Sequence, residues 1–448
     1  MRGLRSTGVL LLVLIGLGAY IYFVTWRQPD PAQSTENRVY KPLIADEIVE
    51  FTLKAESGSV TTARKAGDTW EIVAPRTLPA SIPQITGMTS MIAYLDVVRV
   101  IDEEPTDLAQ YGLDSPRITV DFKVLDGRSF GALHVGKRTP TGASMYARRA
   151  DEKRVFLIGQ HHEASLDRST FDLREKTIVT FTRDQVGAVE LTRGRERVAF
   201  KKDGGRWALA SPLAARADFT VVDALVGSVE VAQMRSVATD EPTPEDLRTY
   251  GLDRPSVTAV LDVQGTPFTL LLGAKADGET FYAKDASKPT VFTVENLLAT
   301  ELTRPVADFR RKDLFDFQPA LANRVELTRS GQTVAFERVK GDGENAEDSW
   351  KRISPGPADA DRTKFEALLT QLAAVRATSF VAATANTGLR TPVLTTLVKF
   401  DENAREERVT FGRAGTSTFA SRPDEPGAAQ IEGAQLDNLL TALDELSK

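Results

Sequence analysis

One pattern is written three times along this chain, and it constrains the fold more than any other feature. Each copy reads as a strand ending in Trp, a capped helix, a Gly-Leu helix stop, and a hairpin closing on Gly with a basic residue nearby. Trp70, Trp207 and Trp350 recur at intervals of 137 and 143 residues, and Gly112, Gly251 and Gly388 at intervals of 139 and 137. Two independent markers share one period, so the chain is a tandem triplication. Its length of 448 residues agrees, since single cores stop growing well below that size. The copies also test one another. A side chain required for chemistry should survive in each, whereas one found in a single copy is decoration.

Within a copy the periodicity is that of an α+β unit. Val49, Phe51 and Leu53 alternate with Ile48, Glu50 and Thr52, a strand with one apolar face. Val189-Glu190-Leu191-Thr192 and Val325-Glu326-Leu327-Thr328 repeat it. Ser81, Asp218 and Asp361 are N-cap residues ahead of helices whose apolar stripes are Ile82, Ile85, Met88 and Ile92; Phe219, Val222, Val226 and Val229; and Phe365, Leu368, Leu369 and Leu372. Tyr111-Gly112-Leu113-Asp114 and Tyr250-Gly251-Leu252-Asp253 end a second, shorter helix, which Thr243, Pro244 and Asp246 open in copy two with a capping box. Copy three keeps Gly388-Leu389 but has lost the Tyr and the Asp. Asp126-Gly127 predicts a hairpin between Val120, Phe122, Val124 and Phe130, Leu133, Val135. Such short connections imply an antiparallel sheet with helices on one face. The expected organisation is a cytoplasmic N-terminus and anchor at 1–27, a polar stalk at 28–40, and modules at 41–180, 181–318 and 319–448.

Between Arg5 and Arg27 lie 21 residues without a charge. As a helix they would be about 30 Å long, the thickness of a bilayer's hydrocarbon core. Tyr20, Tyr22 and Trp26 gather at the far end, and Arg2 and Arg5 precede the span, which places the N-terminus in the cytoplasm and the modules outside. A cleaved signal peptide is the alternative, but apolar residues continue to Trp26. The net charge of −6, with Lys and Arg interleaved among acids, excludes a nucleic-acid face. The absence of cysteine excludes disulfides and thiolate chemistry and suits a bacterial envelope protein.

Tempting sites fail the three-copy test. Gly131-Ala132-Leu133-His134-Val135-Gly136-Lys137-Arg138 nearly spells a phosphate loop, but Arg138 stands where Ser or Thr must hold magnesium. His161, His162 and Glu163 form a potential metal cluster, yet copy two has Leu297 and Leu298 at the histidine positions, and adjacent helical residues point about 100° apart. His134 matches Leu271 and Thr410, so no histidine is left to serve a nucleophile. The pairs Asp102-Glu103 and Asp240-Glu241 read as solvated helix entrances, and the acidic loop 342–348 as a hairpin extension. No catalytic, metal-ligating or cofactor-binding residue is therefore assigned, and a hydrolase is the weakest reading. Leu173-Arg174-Glu175-Lys176 and Phe309-Arg310-Arg311-Lys312 fall between copies and read as passages from one module to the next.

The Tyr-Gly-Leu-Asp-x-Pro stop, the Gly-Lys strand end and the Leu-Arg-x-Lys run resemble a bacterial family known as domain of unknown function 4340, from about residue 40 onward. The resemblance implies a single-pass inner-membrane protein with periplasmic modules, encoded beside ABC-type transporter components related to gliding motility, and it implies no catalytic residue. The expected function is a non-enzymatic accessory or scaffold protein. The alternative is a glycan- or peptide-binding protein that uses grooves between modules, with Tyr146 and Tyr282 stacking on ligand.

Overall fold

The computed structural model describes residues 37–341 and 348–447. The proposed span between Arg5 and Arg27 and the acidic stretch 342–347 lie outside them. Among the described residues no helix is long and apolar enough to cross a membrane. The chain divides into two compact units, one ending at Lys176 and one starting at Thr177. The first holds one nine-stranded sheet and the second holds two, and all three share one strand order.

In the first module β1 (Ile48–Lys54), β2 (Val60–Ala66), β3 (Thr69–Ala74) and the two-residue β4 (Leu78–Pro79) form a meander. Helix α1 (Ile82–Ala93) crosses to β5 (Arg99–Asp102) at the opposite edge. The chain then returns to the middle, where β6 (Ile118–Val124) pairs antiparallel with β1, and continues through β7 (Leu133–Arg138), β8 (Ser144–Arg149) and β9 (Val155–Gly159), which pairs with β5. The order across the sheet is β4-β3-β2-β1-β6-β7-β8-β9-β5. Each module has its own core, built from the inward strand faces and the buried side of the long helix: Ile85, Met88 and Ile92; Leu225, Val226 and Val229; Leu368, Leu369 and Leu372. Tandem α+β units rich in strand are thus established.

Several local features differ from the sequence reading. The Trp residues sit second in the third strand of each module instead of ending a strand. Trp207 and Trp350 are core residues, as their fixed position implies, while Trp70 is only half-buried against Phe51. Asp218 and Asp361 cap their helices through side-chain hydrogen bonds, but Ser81 makes none. Ile82 and Phe219, placed by periodicity in the apolar stripe, are 40% and 51% exposed because they occupy the first helical position. Copy one turns at Val124–Gly127 as the Asp-Gly pair implies, but its two strands do not close directly on that turn. Residues 125–132 form a longer loop from which Phe130 packs on Phe122 and Tyr40.

The helix stop has a physical explanation that sequence alone did not supply. The short helix is α-helical only in copy two (Pro244–Thr249), and its capping box is present. Copy one has a 3-10 turn (Ala109–Tyr111), and copy three has no helix there. What all three retain is a left-handed glycine, with φ of 66° to 68°. It lies backbone to backbone against the end of the seventh strand. A Cβ on Gly136 would stand 2.2 Å from Tyr111 O, on Gly273 2.2 Å from Tyr250 O, and on Gly412 2.7 Å from Thr387 O. The Gly-Leu stop and the Gly-basic strand end are therefore two halves of one contact.

The passages between modules are strand additions. In the first unit Ser81 N–H donates to Leu173 O and Glu175 N–H to Pro79 O, both at 2.8 Å, so the exit segment covers the β4 edge. In the second unit Asp218 N–H donates to Phe309 O (2.8 Å) and Arg311 N–H to Arg216 O (2.9 Å). Each module is also entered by a lead-in that pairs beyond the long helix, at Arg38 with Asp96, Thr177 with Gln233, and Asp313 with Arg376.

Candidate functional site

Several residues that tempted a chemical reading have structural work. Segment 133–138 is strand β7, not a strand-to-helix loop. Gly131 makes room for Asp151, and its carbonyl accepts the Tyr40 hydroxyl at 2.9 Å. The His161 and His162 rings lie 3.9 Å apart, centroid to centroid, with His161 exposed and His162 half-buried. Burial first, and then the neighbouring His161, lowers the His162 pKa. Among the described residues no three His, Asp or Glu converge as a metal set would. Tyr146 and Tyr282 are half-buried and pack against the helix-stop tyrosines, with Tyr111–Tyr146 at 5.1 Å and Tyr250–Tyr282 at 4.4 Å.

Glu163, read from the sequence only as a poor metal ligand, is the buried hub of an ion cluster. Arg117 donates to it at 2.8 Å and to Glu56 at 2.6 Å, and Arg138 donates to it at 2.8 Å. Arg117 also donates to Gly136 O, a job that Ser256 performs on Gly273 O in copy two. Burial pushes the Glu163 carboxyl up, but hydrogen bonds from Arg117 and Arg138 outweigh it and hold the group below its ordinary value. A depressed folded pKa contributes stability that is present above the unfolded value, about 4.3, and is lost as pH falls through the folded pKa. Glu163→Ala should cost about 2 kcal/mol at neutral pH, because the partly buried Arg117 is left with Glu56 alone and loses its buried carboxylate partner. Urea unfolding measured against pH should show Glu163→Gln losing this acid-side dependence.

A larger constellation joins the second and third modules, inside the second unit. Arg216, in the two-residue strand Ala215–Arg216, donates to Glu425 at 2.6 Å, to Asp316 at 2.9 Å and to Asp313 O at 2.9 Å. Arg310, from the exit segment, donates to the other Glu425 oxygen at 3.0 Å and stacks 3.8 Å from the Phe380 ring. Arg311 pairs with Asp316 at 2.8 Å and Arg376 with Asp313 at 2.9 Å. Glu407 accepts from the backbone N–H of Asp316 and Phe317. Arg422 pairs with Asp424 at 3.0 Å and donates to Leu314 O at 2.8 Å. Burial raises the Asp424 carboxyl, and the Arg422 pair more than reverses this, keeping it below the usual carboxylate range. Five arginines and five acids thus balance one another.

Beside this network opens a cleft of about 920 Å³. Trp207, half-exposed Phe219, Arg206 and Asp203 line it from the second module, and Arg376 and Asp424 from the third. Sequence reasoning missed Arg216, Glu407 and Glu425. They meet partners across separations of 90 to 209 residues, and no local pattern in the sequence marks them.

The family model described as domain of unknown function (DUF4340) matches residues 70–208 and 207–392, most of the chain. The chain belongs to the DUF4340 family. The first match runs from Trp70 to just past Trp207 and the second from Trp207 to Pro392, beyond the third module's Gly-Leu stop, so each DUF4340 match starts at the third strand of one module and ends inside the next. No curated protein matches this DUF4340 chain. Among solved structures, the DNA polymerase sliding clamp from Pseudomonas aeruginosa aligns at 8% identity over 86% of this chain and 91% of that chain, with a TM-score of 0.16. A structure of the clamp from the same organism with ligand aligns at 8% over 88% and 93%, with a TM-score of 0.15. Likeness at that level carries no argument about fold or function.

Proposed function

We propose that this DUF4340 protein is a non-enzymatic scaffold, held in a bacterial inner membrane by a single N-terminal span and presenting three periplasmic modules to an ABC-type transporter or surface-assembly complex. One observation supports it above the others: side chains common to all copies serve backbone contact and packing, while those peculiar to one copy are spent on structural ion pairs. The junction network supports it further, because a buried, many-membered ion cluster fixes one geometry for modules two and three. The anchor rests on the uncharged stretch after Arg5, and the transporter partner on what DUF4340 resemblance implies. Capture of the full-length protein from membranes in several mild detergents should recover a stable complex that contains other membrane proteins. Recovery of a lone monomer in every detergent would remove the scaffold role.

A second reading is favoured by the cleft itself. Phe219 offers an exposed aromatic face beside Trp207 and paired Arg and Asp groups, an arrangement suited to a glycan or peptide. Thermal unfolding with envelope polymers tests this, with a rise in Tm that Phe219→Ala abolishes as the supporting result.

A further inference from the structure

The edge strand that the exit segment covers in modules one and two is left uncovered in module three by the described residues. There the equivalent strand is Ala358–Asp359, paired on one side only, with Trp350's strand (Ser349–Ser354). By register with Ser81 and Asp218, Asp361 N–H is the free donor, and by register with Pro79 and Arg216, Asp359 C=O is the free acceptor. No backbone partner reaches either among the described residues. Exposure follows: Ala80 and Ala217 are buried, whereas Ala360 is only half-buried between exposed Asp359 and Asp361. The cause is local. The second module's closing helix ends at Thr303, and after the one-turn helix Val306–Phe309 the chain leaves extended from Arg310. The helix Gly433–Ser447 of the third module runs on for 15 residues, and at the matching distance it is still helical, with Leu443 in the core.

We propose that edge 358–361 receives an extended, basic segment of a partner protein, added antiparallel as the exit segments are added in the other two modules. The covered edges show what fits: a strand carrying Arg174 and Lys176, or Arg310, Arg311 and Lys312. The open edge complements that charge with Asp359, which has no ion-pair partner among the described residues, and Asp361. Phe336, which stands by register where Phe200 meets Phe309 in module two, already packs on Phe365, so recognition rests on main-chain hydrogen bonds and on charge. This rests on the scaffold reading and names its docking surface.

The test uses the full-length chain and a labelled peptide of its own residues 305–312. The peptide should bind and should slow hydrogen exchange at the Asp361 amide about tenfold or more. Asp359→Lys combined with Asp361→Asn, which keeps a capping residue, should weaken binding at least about tenfold, and a peptide with Glu at 310–312 should not bind. Unchanged exchange at 358–361, or undiminished affinity for the variant, overturns the proposal. Self-association through this edge, abolished by Asp359→Lys, overturns it in favour of a second copy. A native complex recovered intact from the variant's membranes would discard this edge yet leave the scaffold reading standing, whereas no complex from the wild type would discard the scaffold.

Discussion

Gly388→Val should destabilise the third module by about 3–5 kcal/mol, enough to lower its thermal transition by roughly 10 °C. Two costs add. Gly388 has φ of +68°, a region that a β-branched residue resists. Its Cβ would also stand 2.0 Å from Arg413 O and 2.7 Å from Arg413 C, backbone atoms of a strand paired on both sides that have no room to move. Gly331→Ala separates the terms, because φ there is +80° with nothing within 4 Å of the new Cβ, and only about 1 kcal/mol should be lost. Equal losses at the two glycines would show that the Gly-Leu stop is an ordinary turn. The stop would then be no anchor for the seventh strand.

That contact also shows where the sequence was legible. Gly388 and Gly412 were visible because each copy needs them at a fixed register, and a threefold repeat turns such needs into a period. The same holds for the helix stripes and for Asp218 and Asp361 as caps, which are local signals with local causes. The pairing of β1 with β6 was not visible. Those strands are separated by four more strands, a helix and a stop, and nothing in their alternation says which apolar strand is the neighbour. Phe219 misled for a related reason: periodicity gives a helix face, but not where the helix overhangs its sheet. Glu163 was noticed for its histidine neighbours when its partners are Arg117 and Arg138, brought near by the fold across 46 and 25 residues. Charges of this kind obey no period, so the internal comparison that exposed the scaffold could only dismiss them as decoration.

Glu425 is the extreme case of such a charge, and its removal should reveal what holds modules two and three together. Its side chain is 8% exposed and binds both Arg216 and Arg310, the latter 6% exposed. Glu425→Ala leaves two guanidinium groups close together in a site that water scarcely reaches, and should cost about 3–5 kcal/mol in urea unfolding, a denaturant that leaves charges unscreened. Arg310→Met alone should cost less, since Glu425 keeps Arg216 and the new side chain can pack on Phe380, 3.8 Å from the present guanidinium. The double variant Glu425→Ala with Arg310→Met should recover about 2 kcal/mol over the sum of the single losses, because the two act through one site. A purely additive outcome would mean that the modules adhere without the ions and that the charges merely fill the seam. Recovery would mean that ions set the geometry. The angle between the modules, and with it any surface that both present to a partner, would then be fixed by electrostatics that no single module possesses.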